Sequence, residues 1–215
     1  SWAIFKLCKY LITITGDARY GDWIEKALIN GIGASIPMSS DGRVMYYSDY
    51  NAREGFKRNT TDPWTCCTGT RPQAVADYAN LIYFTSQGTL DVNLFVPSRV
   101  QYNGLTLIQQ TNFPASGTVM FTIKTASKDN KTVLHIRKPG WLKEPAAILI
   151  NGKPFQATVS NNWYEVVRTW KDGDEIKLEL PMSFSFEKVS QHQLYPVELM
   201  HGPVAMAVRC GTDNY

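Results

Sequence analysis

The hydrophobic pattern of this sequence changes its period at Gly88. Before this residue, apolar side chains recur at helical spacing, whereas after it short apolar runs alternate with Gly, Pro, Asn and Asp turns. Many short strands at such spacing are typical of an antiparallel β-sandwich. The sequence therefore predicts a helical part over residues 1–87 and a β part over residues 88–215.

The helical part contains three predicted helices. The first spans residues 2–14, and the second spans residues 19–29 and ends at Asn30-Gly31, a typical stop signal. The third is predicted over residues 72–84, because Pro72 suits the first position of a helix. The chain starts inside an apolar helical pattern without an initiator Met, so we expect it to begin within a domain.

A long loop is predicted between the second and third helices, over residues 33–64. It contains one strand-like run, RVMYYSDYN, between Gly, Ser and Asp turns. A loop of this length in a compact domain is more often functional than idle. In the β part, Asn151-Gly152 predicts a hairpin turn, and Asp172-Gly173 predicts a turn before a further strand.

The charge and composition exclude several classes of partner. The net charge is only +3, from 22 basic and 19 acidic residues, and no basic stripe is visible, so we expect neither nucleic-acid nor membrane partners. No apolar run is long enough to span a bilayer. We therefore expect a soluble protein, whose compartment the composition leaves open.

Two adjacent cysteines, Cys66 and Cys67, are the strongest chemical signal in the sequence. They precede a predicted helix, and the N–H groups and dipole of a helix N-terminus lower the pKa of a thiol. A thiolate can bind zinc or attack an electrophile, but two cysteines alone cannot complete a tetrahedral zinc site. The residues alone leave two interpretations open. The cysteines either bind a metal or act as a nucleophile, or they form a structural pair or a vicinal disulfide.

The other cysteines and the histidines are interpreted as structural. We expect Cys8 and Cys210 to be buried and to pack as small apolar residues. The three histidines all lie in the β part, and none forms a ligand pair at helical spacing. They are His135, His192 and His201.

Several motifs together resemble glycoside hydrolase family 127, which includes bacterial β-L-arabinofuranosidases. In chain order they are GDARYGDWIEKALINGI, VMYYSDYN, WTCCTGT, VNLFVPSRV, RKPGW, INGKP, RTWKDGDEIKLELPM and HGPVAMAVR. The resemblance covers nearly the whole chain. It implies an α+β multi-domain fold, in which the last helices of an (α/α)6 barrel are followed by antiparallel β-sandwich modules. It also implies that the chain is the C-terminal portion of such an enzyme.

The resemblance also implies a set of site residues. In that family the cysteine matching Cys66 is the nucleophile and a zinc ligand, and the one matching Cys67 is a second zinc ligand. Zinc is the implied cofactor, and an arabinose-containing glycan is the implied substrate. Tyr47 is implied as a contact of the substrate or of the nucleophile, although it could equally be a packed aromatic residue.

The family supplies its remaining zinc ligands, a glutamate and a cysteine, and its acid/base glutamate from sequence preceding the first helix. We therefore expect the N-terminal part of the same enzyme to be a missing partner of this chain. The leading hypothesis is a fragment of a retaining glycosidase with a zinc-bound cysteine nucleophile. The alternatives are a non-catalytic carbohydrate-binding or structural β-sandwich module, and a thiol redox pair.

Overall fold

The computed structural model describes residues 2–35, 45–48, 57–59, 66–188, 192 and 194–207. At residues 35, 45–48, 57–59 and 66–69 it describes the backbone alone. These residues form a mixed α+β fold in which sheets predominate, as predicted. The helices are α1 (Trp2–Thr15), α2 (Arg19–Lys26), a π-helical segment (Ala27–Ile32), a 3-10 turn (Gly33–Ser35), α3 (Cys66–Asp77) and α4 (Ala79–Ile82).

The strands of the described residues form four sheets. They are β1 (Met45–Ser48), β2 (Lys57–Asn59), β3 (Tyr83–Ser86), β4 (Thr89–Val92), β5 (Ser98–Tyr102), β6 (Leu105–Thr111), β7 (Thr118–Thr125), β8 (Val133–Arg137), β9 (Ala147–Ile150), β10 (Lys153–Pro154), β11 (Thr158–Ser160), β12 (Trp163–Val166), β13 (Glu175–Glu179), β14 (Phe184–Lys188), β15 (Val197–His201) and β16 (Val204–Ala205).

Helix α1 confirms the first predicted helix. Its buried residues Phe5, Cys8 and Ile12 recur at helical spacing and form one face. Gly16 follows the helix with a φ of +67° and donates its N–H to the carbonyl of Ile12, which is a common helix ending. Cys8 is a buried free thiol, as predicted, and burial raises its pKa.

The predicted stop of the second helix at Asn30-Gly31 is wrong. The chain continues as a π-helical segment through Ile32. The Asn30 side chain donates to the carbonyl of Pro203 and accepts from the N–H of Ala205, both at 2.8 Å. Through these tertiary hydrogen bonds, Asn30 attaches the helical segment to a sheet. The Asn30 side chain therefore does not end the helical segment.

The third helix begins earlier than predicted. Helix α3 starts at Cys66, and Pro72 lies inside it, where proline removes one N–H from the helical ladder. Ala74 of this helix is buried in the cluster that also contains Phe5, so tertiary contacts hold the helix despite the proline. The predicted end near residue 84 is also late, because the backbone becomes extended at Tyr83.

Two sheets share the larger hydrophobic core. The six-stranded sheet has the order β10-β9-β13-β7-β6-β5, and the five-stranded sheet has the order β11-β12-β8-β4-β3. Among the described strand pairs of these two sheets, β4 and β8 are parallel and all the others are antiparallel. Leu107, Phe121 and Ile176 from the first sheet join Leu90 and Leu134 from the second in one cluster. The alternation of buried residues along β6 and β7 fits strands with one face in this core.

The predicted turns of the β part are confirmed. Asn151 and Gly152 have φ values of 50° and 76° between β9 and β10, as the tight turn of a hairpin requires. Gly173 has a φ of 85° and precedes β13.

A second hydrophobic cluster joins the helices to the five-stranded sheet. Trp163 on β12 belongs to it, whereas its neighbour Tyr164 belongs to the larger core. Because successive strand residues point to opposite faces, β12 faces the helices on one side and the six-stranded sheet on the other. The Trp163 indole also donates to the carbonyl of Gly16 at 2.8 Å. In the described part of the chain, no helix is long and apolar enough to cross a membrane.

Candidate functional site

The adjacent cysteines open helix α3. Cys66 and Cys67 are its first two residues, whereas the sequence predicted that they would precede a helix starting six residues later, at Pro72. The first N–H groups of a helix have no partner within the helix, and its positive end stabilises negative charge. The observed backbone therefore favours thiolate formation at these positions.

Helix α3 rests on helix α1. The Trp2 indole lies 3.3 Å from the Asp77 carboxylate to which it donates, and the rings of Phe5 and Tyr78 meet edge to face at 5.9 Å. These contacts fix the end of α3 that is remote from the cysteines.

Arg71 is a partly buried cation on the cysteine helix that sequence reasoning did not single out. It follows Cys67 by one helical turn, and its Nε and Nη1 atoms are buried without a hydrogen-bond partner among the described residues. Burial raises the pKa of Tyr78, and the positive charge of Arg71 opposes this rise. A cation on the same helix adds to the positive potential near the cysteines.

Tyr47 lies on β1, which confirms a strand within the predicted loop. Its Cα is opposite that of Arg58 on β2, and the register shifts between Met45 and Tyr47. Cys210 lies outside the described residues. The roles assigned to Cys66, Cys67 and Tyr47 remain predictions.

Within the described residues, no group of three or more His, Cys, Asp or Glu side chains is arranged to hold a metal. Two adjacent cysteines offer sulfur donors that suit zinc, but they supply only half of a tetrahedral shell. The donor set of Cys66 and Cys67 therefore fits part of a zinc site, whose other ligands would have to come from beyond the described residues.

His135 interacts with carboxylates across neighbouring strands. Its Nδ1 lies 2.9 Å from Asp91 Oδ1 on β4, and its Nε2 lies 3.7 Å from Glu165 Oε1 on β12. Its ring stacks on Trp163 with a centroid distance of 6.2 Å. His201 contacts the ring of Phe184 at 4.7 Å, and His192 lies in an exposed turn.

A buried ionic cluster joins α2 to the end of β8. The guanidinium of Arg137 has no exposed surface and contacts three acceptors: Asp22 at 2.5 Å, the carbonyl of Asn93 at 2.6 Å, and Glu25. The indole of Trp141 donates to the other oxygen of Glu25 at 2.8 Å. The family motifs GDARYGDWIEKALINGI and RKPGW thus contact each other, which their separation in sequence does not reveal.

Burial is the main influence on the carboxylates of this cluster. It raises the pKa of Glu25 and of Asp22, and the charge of Arg137 opposes the rise in both cases. Asp22 also accepts from the N–H of Gly140 at 3.1 Å. A carboxylic acid with a raised pKa can be a catalytic group, but here both carboxylates are engaged by an arginine, as in a structural ion pair.

A cleft lies beside this cluster, between α2, the loop after β8 and the three-stranded sheet formed by β14, β15 and β16. Its volume is about 390 Å³. Trp23, Trp141 and Ser185 are among its lining residues. A second cleft of about 250 Å³ is lined by Asp91, His135 and Glu165, together with residues at the end of α1.

Comparison with known proteins relates this architecture to one family of glycosidases. Residues 89–182 match the family model for the beta-L-arabinofuranosidase GH127 middle domain. The curated non-reducing end beta-L-arabinofuranosidase of Bifidobacterium longum subsp. longum is 27% identical over 226 residues, which cover 95% of this chain and 34% of that protein.

Solved structures show the same fold. The crystal structure of a GH127 β-L-arabinofuranosidase from Geobacillus stearothermophilus T6 superimposes with a TM-score of 0.81 at 24% identity, covering 95% of this chain and 35% of that one. A second GH127 β-arabinofuranosidase gives a TM-score of 0.80 at 19% identity, with coverages of 94% and 35%. The chain therefore spans about a third of the length of these relatives.

Proposed function

Because this chain belongs to glycoside hydrolase family 127, we propose that it forms part of a retaining glycosidase that acts on β-L-arabinofuranosides. The curated relative is a non-reducing end β-L-arabinofuranosidase, and its similarity covers 95% of this chain. In this proposal, Cys66 is the nucleophile and the substrate is an arabinose-containing glycan. Tyr47, on the strand that precedes the cysteines, contacts the substrate.

One observation carries the proposal: helix α3 begins at Cys66. A thiol is a weak nucleophile until it loses its proton, and a helix N-terminus favours the thiolate. The guanidinium of Arg71 adds positive charge one turn further along the helix. A buried structural cysteine, such as Cys8, lacks this setting, and burial raises its pKa.

The proposed reaction has two displacements at the anomeric carbon. First, the thiolate sulfur of Cys66 forms a bond to this carbon while the glycosidic C–O bond breaks, and the leaving oxygen takes a proton from a general acid. Water then displaces the sulfur and gives its proton to the same group, so the configuration is retained overall. The general acid is expected in the enzyme's N-terminal part, as the family resemblance implies.

Zinc would be held by the sulfur atoms of Cys66 and Cys67 together with ligands from the N-terminal part. When bound, zinc would keep the coordinating thiols deprotonated at neutral pH. Cys67 would then position the site without reacting with the sugar.

The same proposal assigns the architecture more finely. The helices from α1 to α4 would be the last helices of an (α/α)6 barrel, and the two large sheets would form a β-sandwich, with a division near residue 87. The shared core of the two sheets and the helical cluster around Phe5 support this assignment.

The decisive experiment uses the enzyme extended to include its N-terminal part. We expect it to contain zinc and to release a chromogenic β-L-arabinofuranoside, with Cys66→Ser abolishing turnover and Cys67→Ser lowering the zinc content. Cys8→Ser is the matched control, because Cys8 is buried on α1 and has no proposed role. Full turnover by Cys66→Ser, with its zinc content unchanged, would overturn the proposal.

A further inference from the structure

The cleft beside the ionic cluster has the size and the lining of a ligand site. Its volume of about 390 Å³ lies within the range of roughly 300–1,000 Å³ that is usual for small-molecule pockets. Three separate segments form it: α2, the Gly140–Lys143 loop and the three-stranded sheet. No residue of α3 is among its described lining residues, so it is separate from the cysteine helix.

The walls of the cleft are held rigidly by contacts between these segments. Arg137 binds the carboxylates of α2 from behind, and Gly140 donates to Asp22. Lys26 on α2 pairs with Glu187 on β14 at 2.7 Å. These contacts fix the segments that carry the lining residues, so a ligand would bind without rearranging those segments.

An exposed indole lies at the cleft. Trp23 lines it with 62% of its surface exposed, and the half-buried Trp141 lines it as well. An indole left this exposed offers a flat apolar surface beside polar groups. The C–H faces of a sugar ring fit such a surface, while the hydroxyl groups at its edge fit polar neighbours.

The charges around the cleft nearly balance. Asp22, Glu25 and Glu187 are opposed by Lys26 and Lys143 in the lining, and by Arg137 behind it. This balance disfavours a strongly charged ligand of either sign. The hydroxyl of Ser185 and the ammonium of Lys143 offer uncharged and charged partners for hydroxyl groups.

We propose that this cleft binds a neutral saccharide, with Trp23 as the stacking surface and Ser185 and Lys143 as hydroxyl partners. The saccharide site is independent of the cysteine chemistry, because its lining comes from α2 and the β part. Loss of saccharide binding here and loss of glycoside cleavage at Cys66 are therefore separate outcomes.

The test titrates the 215-residue chain with methyl β-L-arabinofuranoside and with D-glucose, and follows the indole N–H signals by NMR. We expect saturable shifts of the Trp23 and Trp141 signals with at least one sugar. The signal of Trp170, which is fully buried in the larger core, should not move. Trp23→Ala should weaken binding about tenfold or more, because a tryptophan at the centre of a contact carries much of its affinity.

Tyr10→Ala is the matched control, since Tyr10 is an aromatic residue of similar exposure, 64%, that lies on α1 outside the cleft. It should leave the affinity unchanged, and Ser185→Ala should lower it less than Trp23→Ala. The proposal fails if neither sugar gives saturable shifts up to about 100 mM, or if Trp23→Ala binds as well as the parent chain. Saturable, Trp23-dependent binding of tetramethylammonium without sugar binding would instead identify a cation site.

Discussion

The guanidinium of Arg137 and the carboxylate of Glu25 form an ion pair that is almost completely shielded from water. Arg137 has no exposed surface, and Glu25 retains 2%. One residue lies at the end of β8 and the other on α2, so the pair connects the helices to the five-stranded sheet. Asp22, Asn93 and Trp141 bind the other polar atoms of the pair, so each nitrogen of the guanidinium and each oxygen of the carboxylate has a partner.

Replacing Arg137 by Met should destabilise the fold by about 3–5 kcal/mol, because Glu25 would remain as a buried charge without its partner. Urea unfolding of the 215-residue chain measures this change. Arg19→Met is the control, since Arg19 also pairs with an aspartate but is largely exposed, and little change is expected there. Combining Arg137→Met with Glu25→Gln should recover part of the loss. Equal effects of the two arginine substitutions would contradict the structural role of the buried pair.

Gly21 and Gly140 are required by close approaches in the same cluster. A Cβ at Gly21 would clash with Asn93 Oδ1, and one at Gly140 would lie 2.5 Å from Asp22 Oδ2. Gly21→Ala and Gly140→Ala should therefore each destabilise the fold by about 1–3 kcal/mol. Gly31→Ala should instead be neutral or slightly stabilising, because a Cβ there meets nothing within 4 Å. Thermal unfolding of the three variants tests this order, and a loss at Gly31 equal to that at Gly21 would refute it.

The elements that could be predicted from the sequence are those with a strong local signal. The helix over α1, the Asn151-Gly152 hairpin and the strands of the β part follow from periodicity and turn chemistry. The sequence also indicated the family, because its motifs keep their order along the chain. The prediction failed where distant contacts override local signals, as at Asn30, whose side chain binds the sheet, and at Pro72, which lies inside α3.

The candidate site could be predicted only in part for the same reason. Adjacent cysteines are visible in any sequence, but the helix that starts at Cys66 was expected to begin later. The contact between Glu25 and Arg137 joins residues that are 112 positions apart, and no periodic pattern encodes such a pair. Its only sequence signal was that both residues belong to motifs of the family.

Asp174 should make stability depend on acid pH. Burial raises its pKa. Hydrogen bonds from Asn151 at 2.7 Å and from the N–H of Lys171 at 2.9 Å, together with the charge of Arg168, lower the pKa by more than burial raises it. The net pKa therefore lies below its usual value near 3.8. A carboxylate with a lowered pKa stabilises the folded state at neutral pH, and this contribution disappears as the pH falls through the folded pKa.

Asp174→Asn should therefore cost about 1–2 kcal/mol at pH 7, and the difference from the parent chain should shrink below about pH 4. Urea unfolding at several pH values measures it. Asp129→Asn is the control, because Asp129 is an exposed aspartate. A difference between Asp174→Asn and the parent chain that stays constant from pH 7 to pH 3 would contradict the assignment.

Cys66 should be the most reactive thiol of the chain after metal is removed. It begins α3, where the helix N-terminus and Arg71 favour the thiolate, whereas burial raises the pKa of Cys8. Limiting iodoacetamide at pH 7, followed by peptide mapping, should label Cys66 first and Cys8 last. Arg71→Gln should slow the labelling of Cys66 several-fold, while Lys9→Gln, on α1, should leave it unchanged. Equal labelling of all cysteines, or preferential labelling of Cys210, would count against Cys66 as the nucleophile.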